Sequence, residues 1–228
     1  LFQVDSADFK IAMKTVCVAA LLAAFVQHAM CSLSQADKDS VMDFHNRFRQ
    51  QVSHGQVKDM NGRAQPQAAN MYKLTWDDEL AAGAQEWSKR CREGHSMIPG
   101  IGENIAMGDL TPYYLADRLF DEIRTSTVPD YGKYTGEGGY NGHYTQAIWA
   151  ESTKIGCGAT YCPTSVVGKG IMLVCRYKPN GNYVGYPIYQ EGSPCSGCSK
   201  CDSHYKLCLA DDQQDTGSNV YHTTESPS

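Results

Sequence analysis

Four cysteines fall within the fourteen residues from Cys195 to Cys208, and they constrain this chain more than any other feature. The segment around them, GSPCSGCSKCDSHYKLC, has almost no large apolar side chains, so it must be held by crosslinks instead of a core. Six more cysteines lie upstream; Cys17 and Cys31 belong to a segment that we expect to be removed, which leaves Cys91, Cys157, Cys162 and Cys175 beside the first four. An even set of eight predicts disulfides in an exported chain, and a zinc knuckle at C-x-x-C-x-x-C is the alternative.

An apolar run near the beginning of the sequence bears on export. Residues 15–26, TVCVAALLAAFV, follow a basic residue and are too few to span a bilayer with ease. Small residues then lead to Cys31, which is typical of a secretory signal peptide cut nearby. We therefore expect residues 1–31 to be removed, with 1–12 as upstream read-through, and the protein to be secreted and extracellular. An apolar first helix of the domain is the alternative.

The charge of the chain is unevenly distributed. The formal net charge is −5, and residues 209–228 hold acidic side chains but no lysine or arginine. This composition predicts a disordered acidic tail over 209–228. The rest of the chain is nearly neutral and has no basic stripe, so nucleic acid is not expected as a partner. A monomer is the default expectation.

The first half of the chain has the spacing of helices. Ser34 with Asp37 three residues later predicts a helix N-terminus. Apolar residues then recur three and four apart, as on one helix face: Val41, Phe44, Phe48 and Val52. Thr75 predicts the start of a second helix, Thr111 before a proline a third, and residues 143–149 a short fourth.

The second half of the chain changes to the pattern of strands. Apolar residues alternate over 155–161, and a second apolar strand is predicted over 171–176. Helices followed by strands favour an α+β fold, with helices packed on an antiparallel sheet. We expect one domain over 34–190, followed by a small cysteine-rich segment over 191–208.

Four polar residues stand out as a candidate site. His143 lies in GHYTQAIW, and Glu103 lies in GIGENIA. His95 is predicted one helical turn beyond Cys91, at the end of the second helix, and Glu122 at the border of the buried face of the third. Two imidazoles and two carboxylates suit a divalent metal such as zinc or copper. The alternative is a polar network in which the four residues only bond one another.

Several motifs resemble those of one known family. GHYTQAIW at 142–149 and GENI at 102–105 are similar to two hallmark motifs of the CAP superfamily. That group comprises cysteine-rich secretory proteins, antigen 5 and pathogenesis-related 1 proteins, also called SCP/TAPS or venom-allergen-like proteins. FHNRFR at 44–49, LTWDDELAAGAQEWSKRC at 74–91 and YCP at 161–163 resemble further family segments in the family's order.

The resemblance implies a fold and a site. The fold is an α-β-α sandwich, an antiparallel sheet between helices, with a small disulfide-rich hinge after it. The family's cavity tetrad maps onto His95, Glu103, Glu122 and His143, and the two histidines carry zinc or another divalent cation in many members. The implied disulfides are Cys91–Cys162, Cys157–Cys175, Cys195–Cys201 and Cys198–Cys208. The ion-channel regulatory module of larger members is not found, so channel blocking is not expected.

Three kinds of function follow from the resemblance. The favoured one is a non-enzymatic extracellular binding or effector protein, with sterol or other lipid as a possible partner. A tyrosine-rich loop would then contact the lipid through Tyr131, Tyr134 and Tyr140, although the loop is equally consistent with an ordinary surface loop. A secreted metal- or Ser/Thr-dependent protease is less favoured, because HExxH and G-x-S-x-G motifs are absent from the sequence. The third is a venom-allergen-like toxin or immune effector acting on an unknown receptor.

Overall fold

The fold is taken from a computed structural model, which describes residues 32–126, 131–136, 142–164, 169–215 and 217. The predicted signal peptide, Tyr140 and residues 218–228 lie outside the described residues. The elements in chain order are α1 (Gln35–Ser53), β1 (Thr75–Trp76), α2 (Asp78–Ser88), β2 (Gly102–Gly108), α3 (Pro112–Phe120), α4 (Glu122–Thr125), α5 (Gly142–Ala147), β3 (Lys154–Cys162) and β4 (Gly170–Lys178). Within the described ranges, no helix has the length and apolarity needed to cross a bilayer.

Helix α1 begins where the sequence predicts. The Asp37 backbone N–H donates to Ser34 Oγ, and the Ser34 backbone N–H donates to the Asp37 carboxylate, so each residue satisfies the other. The buried face of the helix includes Val41, Phe48 and Val52. The helix start predicted from Ser34 and Asp37 is therefore confirmed, and it has the form of a capping box.

Arg49 is a buried charged residue of α1, and its hydrogen bonds hold several segments of the chain together. Its guanidinium is fully buried and donates to five backbone carbonyls at 2.8–3.2 Å, those of Tyr72, Ala147, Trp149, Ala150 and Ser152. An arginine side chain has five N–H groups, and here each of them has a backbone carbonyl as its acceptor. Arg49 thus ties α1 to the chain that leaves α5.

The predicted start of the second helix is wrong by a few residues. Thr75 lies in β1, where its N–H donates to the Thr153 carbonyl (3.0 Å) and so belongs to the sheet. The N-cap is Asp77, whose Oδ1 accepts a hydrogen bond from the Leu80 N–H at 2.9 Å. A strand of two residues is too short to show a period of two, so the sequence pattern could not reveal it.

The sheet has the order β1-β3-β4-β2, with β2 and β3 both antiparallel to β4 and β1 parallel to β3. Alternate residues of β4 serve different layers. Leu173 and Tyr177 belong to the large core with α1 and α3, whereas Met172 and Val174 pack against Trp87 on α2. The sheet therefore lies between helices on both faces, and the predicted α-β-α sandwich is confirmed.

The disulfides join the segments that the family resemblance implies: Cys91–Cys162, Cys157–Cys175, Cys195–Cys201 and Cys198–Cys208. The sulfurs of three hinge cysteines lie within 4.8 Å of one another, a spacing that would suit a metal. All three are already joined in disulfides, so they offer no thiolate ligand, and the zinc-knuckle alternative does not fit this structure.

The hinge is also part of the hydrophobic core. Tyr205 and Leu207 are buried in the large cluster, and the Asp202 carboxylate is fully buried and accepts a bond from Lys73 Nζ at 2.6 Å. The Cys208 N–H donates to the Met71 carbonyl, and the Lys73 N–H donates to the Cys208 carbonyl, each at 2.8 Å. The hinge is therefore held both by its disulfides and by packing against the main domain.

The predicted disordered tail is wrong for residues 209–215. Leu209 is buried, and Gln213 is buried with its Nε2 donating to the Lys73 carbonyl at 3.1 Å. Asp212 pairs with Lys154 at 2.7 Å. The acidic composition that predicts disorder is here offset by one apolar contact, one buried amide and a pairing with a basic side chain of β3.

Candidate metal centre

The structure brings the four candidate residues together as two pairs. Glu103 lies on β2 opposite Arg176 of β4, Glu122 opens α4, and His143 is the second residue of α5. The rings of His95 and His143 are 6.5 Å apart between centroids and inclined at 57°. The two histidines therefore face one shared space, with one carboxylate behind each ring.

Two local predictions need correction. Helix α3 ends at Phe120, so Glu122 begins its own short helix and does not lie on the buried face of the third helix. Helix α2 ends at Ser88, and Cys91 has a left-handed backbone conformation with φ of 47°. His95 therefore lies on an irregular segment and not one helical turn beyond Cys91, because the chain must leave the helix to form the Cys91–Cys162 bond.

The first pair is built around the deeply buried carboxylate of Glu103. His95 Nδ1 lies 3.3 Å from Oε1, which also accepts the Ser96 N–H at 2.8 Å. The other oxygen accepts Ser96 Oγ at 2.6 Å and Arg176 Nε at 3.0 Å. The Glu103 side chain is 5% exposed, whereas that of His95 is 45% exposed. The carboxylate is thus fixed from several directions, and the ring reaches towards solvent.

These contacts determine the charge state of Glu103. Burial alone would raise the pKa of this carboxyl, but hydrogen bonds from His95, Ser96 and Arg176 outweigh it and lower the pKa to about 2. Arg176 itself can lie there because Gly83 on α2 has no side chain: a Cβ at that position would stand 2.2 Å from the guanidinium Nη1. Glu103 is therefore an ionised, paired group at neutral pH.

The second pair is held at the beginning of a short helix. His143 Nδ1 lies 2.7 Å from Glu122 Oε1, and the Tyr144 N–H donates to Glu122 Oε2 at 2.9 Å. One oxygen of Glu122 thus accepts a backbone N–H of the first turn of α5, and the other orients the His143 ring. His143 is 37% exposed and Glu122 20% exposed.

A buried chain of hydrogen bonds supports His143 from below. Asn104 Nδ2 donates to the His143 carbonyl at 2.8 Å and lies 3.3 Å from the Tyr177 hydroxyl. That hydroxyl is 2.9 Å from His45 Nε2, while His45 Nδ1 contacts the Val41 carbonyl at 2.7 Å. Burial lowers the pKa of His45 to about 4, although its bond to Val41 acts in the opposite direction. His45 is therefore a neutral structural residue.

The donor set fits a divalent cation bound by two histidines. In each pair Nδ1 faces a carboxylate, so the proton belongs on Nδ1 and the Nε2 lone pair can bind a metal. In the described part of the chain, no three ligand atoms from histidine, cysteine or carboxylate converge at this site. An ion here would have two protein ligands, and water or another ligand would complete its coordination.

The hydroxyls nearest in sequence to the two histidines, those of Ser96 and Thr145, are the candidate nucleophiles of a Ser/Thr-dependent protease, and both are engaged in other bonds. Ser96 Oγ donates to the Glu103 carboxylate, and Thr145 Oγ1 donates to Asn182 Oδ1 at 2.8 Å. A serine or threonine nucleophile needs its proton directed at a base such as histidine. The bonds described here direct these two protons to the Glu103 carboxylate and to Asn182.

The predicted lipid-contacting tyrosines hold a loop in place. Tyr131 is buried, and its ring lies 4.8 Å from that of Tyr189. Tyr134 packs against Trp149, and its backbone bonds to Gly185 and Tyr186. These two tyrosines therefore support the segment 183–189, and lipid binding through them stays a prediction.

Comparison with known proteins identifies the family. A model of the cysteine-rich secretory protein family, CAP, matches residues 42–177. The chain belongs to the CAP family. Venom allergen 5 of Brachyponera chinensis is 37% identical over 172 residues, which cover 69% of this chain and 86% of that protein. A CAP structure described as NaASP2 with Zn²⁺ is 34% identical, with a TM-score of 0.69, and the match covers 77% of this chain and 96% of that one.

Some CAP relatives are much longer. The cysteine-rich secretory protein LCCL domain-containing 1 of Gallus gallus is 33% identical over 184 residues, which cover 73% of this chain. The match spans 33% of that protein. The chain therefore spans about a third of the length of that relative.

One residue of this CAP site was missed in the sequence. Arg176 is buried, faces α2 and neutralises Glu103. The signal was present, because Arg176 is the one charged residue among the apolar letters GIMLVCRY of β4. A charge in a buried strand requires a partner of opposite charge, and Glu103 lies directly opposite it in the register.

Proposed function

We propose that this CAP-family protein acts outside the cell as a binding protein and not as a hydrolase, and that His95 and His143 hold a divalent cation such as Zn²⁺. Support for the compartment comes from relatives named as secretory and venom proteins and from the four disulfides of the described residues, since such bonds persist in oxidising surroundings. Support for the metal comes from the similar protein whose structure is described with Zn²⁺.

A single observation carries the proposal for the metal. Each of the two rings has its Nδ1 on a carboxylate, at 3.3 Å for His95 and 2.7 Å for His143. This is the arrangement that fixes a histidine ring and makes its other nitrogen a better ligand. Bound zinc would supply a positive charge and open positions for a ligand, while Glu103 and Glu122 keep the rings oriented. Because protons compete for the imidazole nitrogens, binding should weaken in acid.

Calorimetric titration with ZnCl₂ tests this proposal. We expect wild-type protein, first treated with chelator, to bind one equivalent, and a His95→Ala/His143→Ala variant to bind none. A His54→Ala/His204→Ala variant removes the same number of histidines away from the site and should bind as wild type does. Thermal unfolding in chelator checks that each variant is folded. Equal heats from wild type and the His95/His143 variant would show that zinc binds elsewhere.

A further inference from the structure

A second pocket lies beyond the C-terminal end of α5, away from the histidines. Its volume is about 340 Å³, which is within the range of small-molecule sites. Its apolar walls include Trp149, Pro179, Tyr183, Tyr186 and Pro187. None of the four residues of the histidine site lines it, so the pocket needs a separate explanation.

Aromatic side chains form one wall of this pocket. The Tyr183 ring lies 6.3 Å from that of Trp149 and 6.0 Å from that of Tyr186, in edge-to-face arrangements. Trp149 is buried, but both tyrosines are exposed. Exposed tyrosines beside a buried tryptophan leave ring faces available to a ligand, and such faces attract cations through their negative π-electron density.

The polar groups of the pocket favour a positive ligand. Asn70 is committed within the protein, since its Nδ2 donates to Glu151 Oε1 at 3.2 Å and its Oδ1 accepts the Gln190 N–H at 2.8 Å. Asn180 Oδ1 accepts the Tyr183 hydroxyl. The Glu151 carboxylate can accept about four hydrogen bonds, so it keeps capacity for a ligand.

The lining supplies charge of one sign. Among the described residues that line the pocket, Glu151 carries a negative charge and no lysine or arginine is present. We propose that this pocket binds an organic cation of the alkylated ammonium class, with Glu151 balancing its charge and the faces of Tyr183 and Tyr186 contacting its alkyl groups.

Choline and its uncharged isostere 3,3-dimethylbutan-1-ol form a matched pair of probes, because they differ chiefly in charge. We expect calorimetry or ligand-observed NMR to show choline binding about tenfold more tightly than the isostere. The Glu151→Gln variant, which retains an acceptor for Asn70, should reduce this preference severalfold and leave only the part that the tyrosine faces supply. Glu191→Gln removes a nearby carboxylate that does not line the pocket and should leave the preference unchanged. Equal binding of both probes, or an unchanged preference in Glu151→Gln, would overturn the proposal.

A second experiment distinguishes a free cation from a lipid headgroup. Co-sedimentation with phosphatidylcholine vesicles is compared with phosphatidylglycerol vesicles, in chelator so that the histidine site is metal-free. Selective binding to phosphatidylcholine supports a headgroup ligand if it is lost in Tyr186→Ala, a substitution of an exposed side chain that should leave the protein folded. Choline binding without vesicle binding supports a soluble cation. Binding to neither choline nor phosphatidylcholine would contradict the inference in both forms.

Discussion

The two histidine–carboxylate pairs differ in what holds the carboxylate. Glu103 is anchored in the sheet by Arg176 and Ser96 and is nearly inaccessible, whereas Glu122 contacts a ring and one backbone N–H and is four times more exposed. The same two residue types thus serve different purposes. The first pair is chiefly part of the protein's stability, while the second chiefly orients a ring at the beginning of a short helix.

The most direct test of this difference between the two pairs is to remove each carboxylate in turn and measure stability. Glu103→Ala leaves the buried Arg176 without its partner, so the free energy of unfolding should fall by about 3 kcal/mol. Glu122→Ala removes a contact equivalent to a helix cap and should cost about 1 kcal/mol. Urea unfolding of the metal-free protein measures both. Similar losses from the two variants would show that the pairs are equivalent.

The pH dependence of stability sharpens the same comparison. The pKa of Glu103 is about 2 in the folded protein and has an ordinary value of 4.5. Because the folded state holds the proton less well than the unfolded state, stability should be fully present above pH 4.5 and be lost as the pH falls towards 2. The full shift corresponds to about 3 kcal/mol, and solvent screening of the half-exposed His95 partner should reduce the effect to about 2 kcal/mol.

Urea unfolding between pH 5 and 2 in chelator gives the measurement. The Glu103→Gln variant should lose this part of the slope, and Glu122→Gln, which changes a carboxyl in the more exposed pair, should retain it. A wild-type slope that survives unchanged in Glu103→Gln would mean that other acidic groups cause it.

The smallest expected effect concerns the hydroxyl of Ser96, which donates to Glu103 of the first pair. Ser96→Ala removes the 2.6 Å bond to Glu103 but leaves the bonds from Arg176 and from the backbone of residue 96. We expect a loss of about 1 kcal/mol in thermal or urea unfolding. Ser203→Ala, which removes an exposed hydroxyl bonded to Asp215, is the control and should change stability by less than about 0.5 kcal/mol. A Ser96→Ala loss as large as that of Glu103→Ala would place the anchor at Ser96.

Much of the fold could be predicted from local pattern. The helix start at Ser34, the alternation in β3 and the apolar run of β4 each depend on short-range chemistry, and the structure contains the corresponding elements. The start of α2 could not be found this way, because Thr75 is held in a strand by residues nearly eighty positions later. Long-range pairing overrides a local capping signal there.

The site was predictable in its residue types but not in its division into pairs. Which carboxylate lies behind which ring depends on how β2 and the short helices α4 and α5 are placed, and the spacing along the chain carries no such information. The contact of the hinge with the domain was missed for a similar reason. Asp202 and Tyr205 look like ordinary loop residues until Lys73 and Asp43, far away in sequence, provide their partners.

The hydrogen bonds of the Arg49 guanidinium restrict how far the backbone can move when a ligand binds. Five carbonyls between residues 72 and 152 converge on it, and the backbone after α5 cannot shift without breaking several of these bonds at once. That stretch of chain connects the histidine of one candidate site with the tryptophan of the other. The backbone that carries Trp149 into the wall of the second pocket is accordingly pre-formed, so a molecule that docks there should lose little entropy to ordering this part of the receptor.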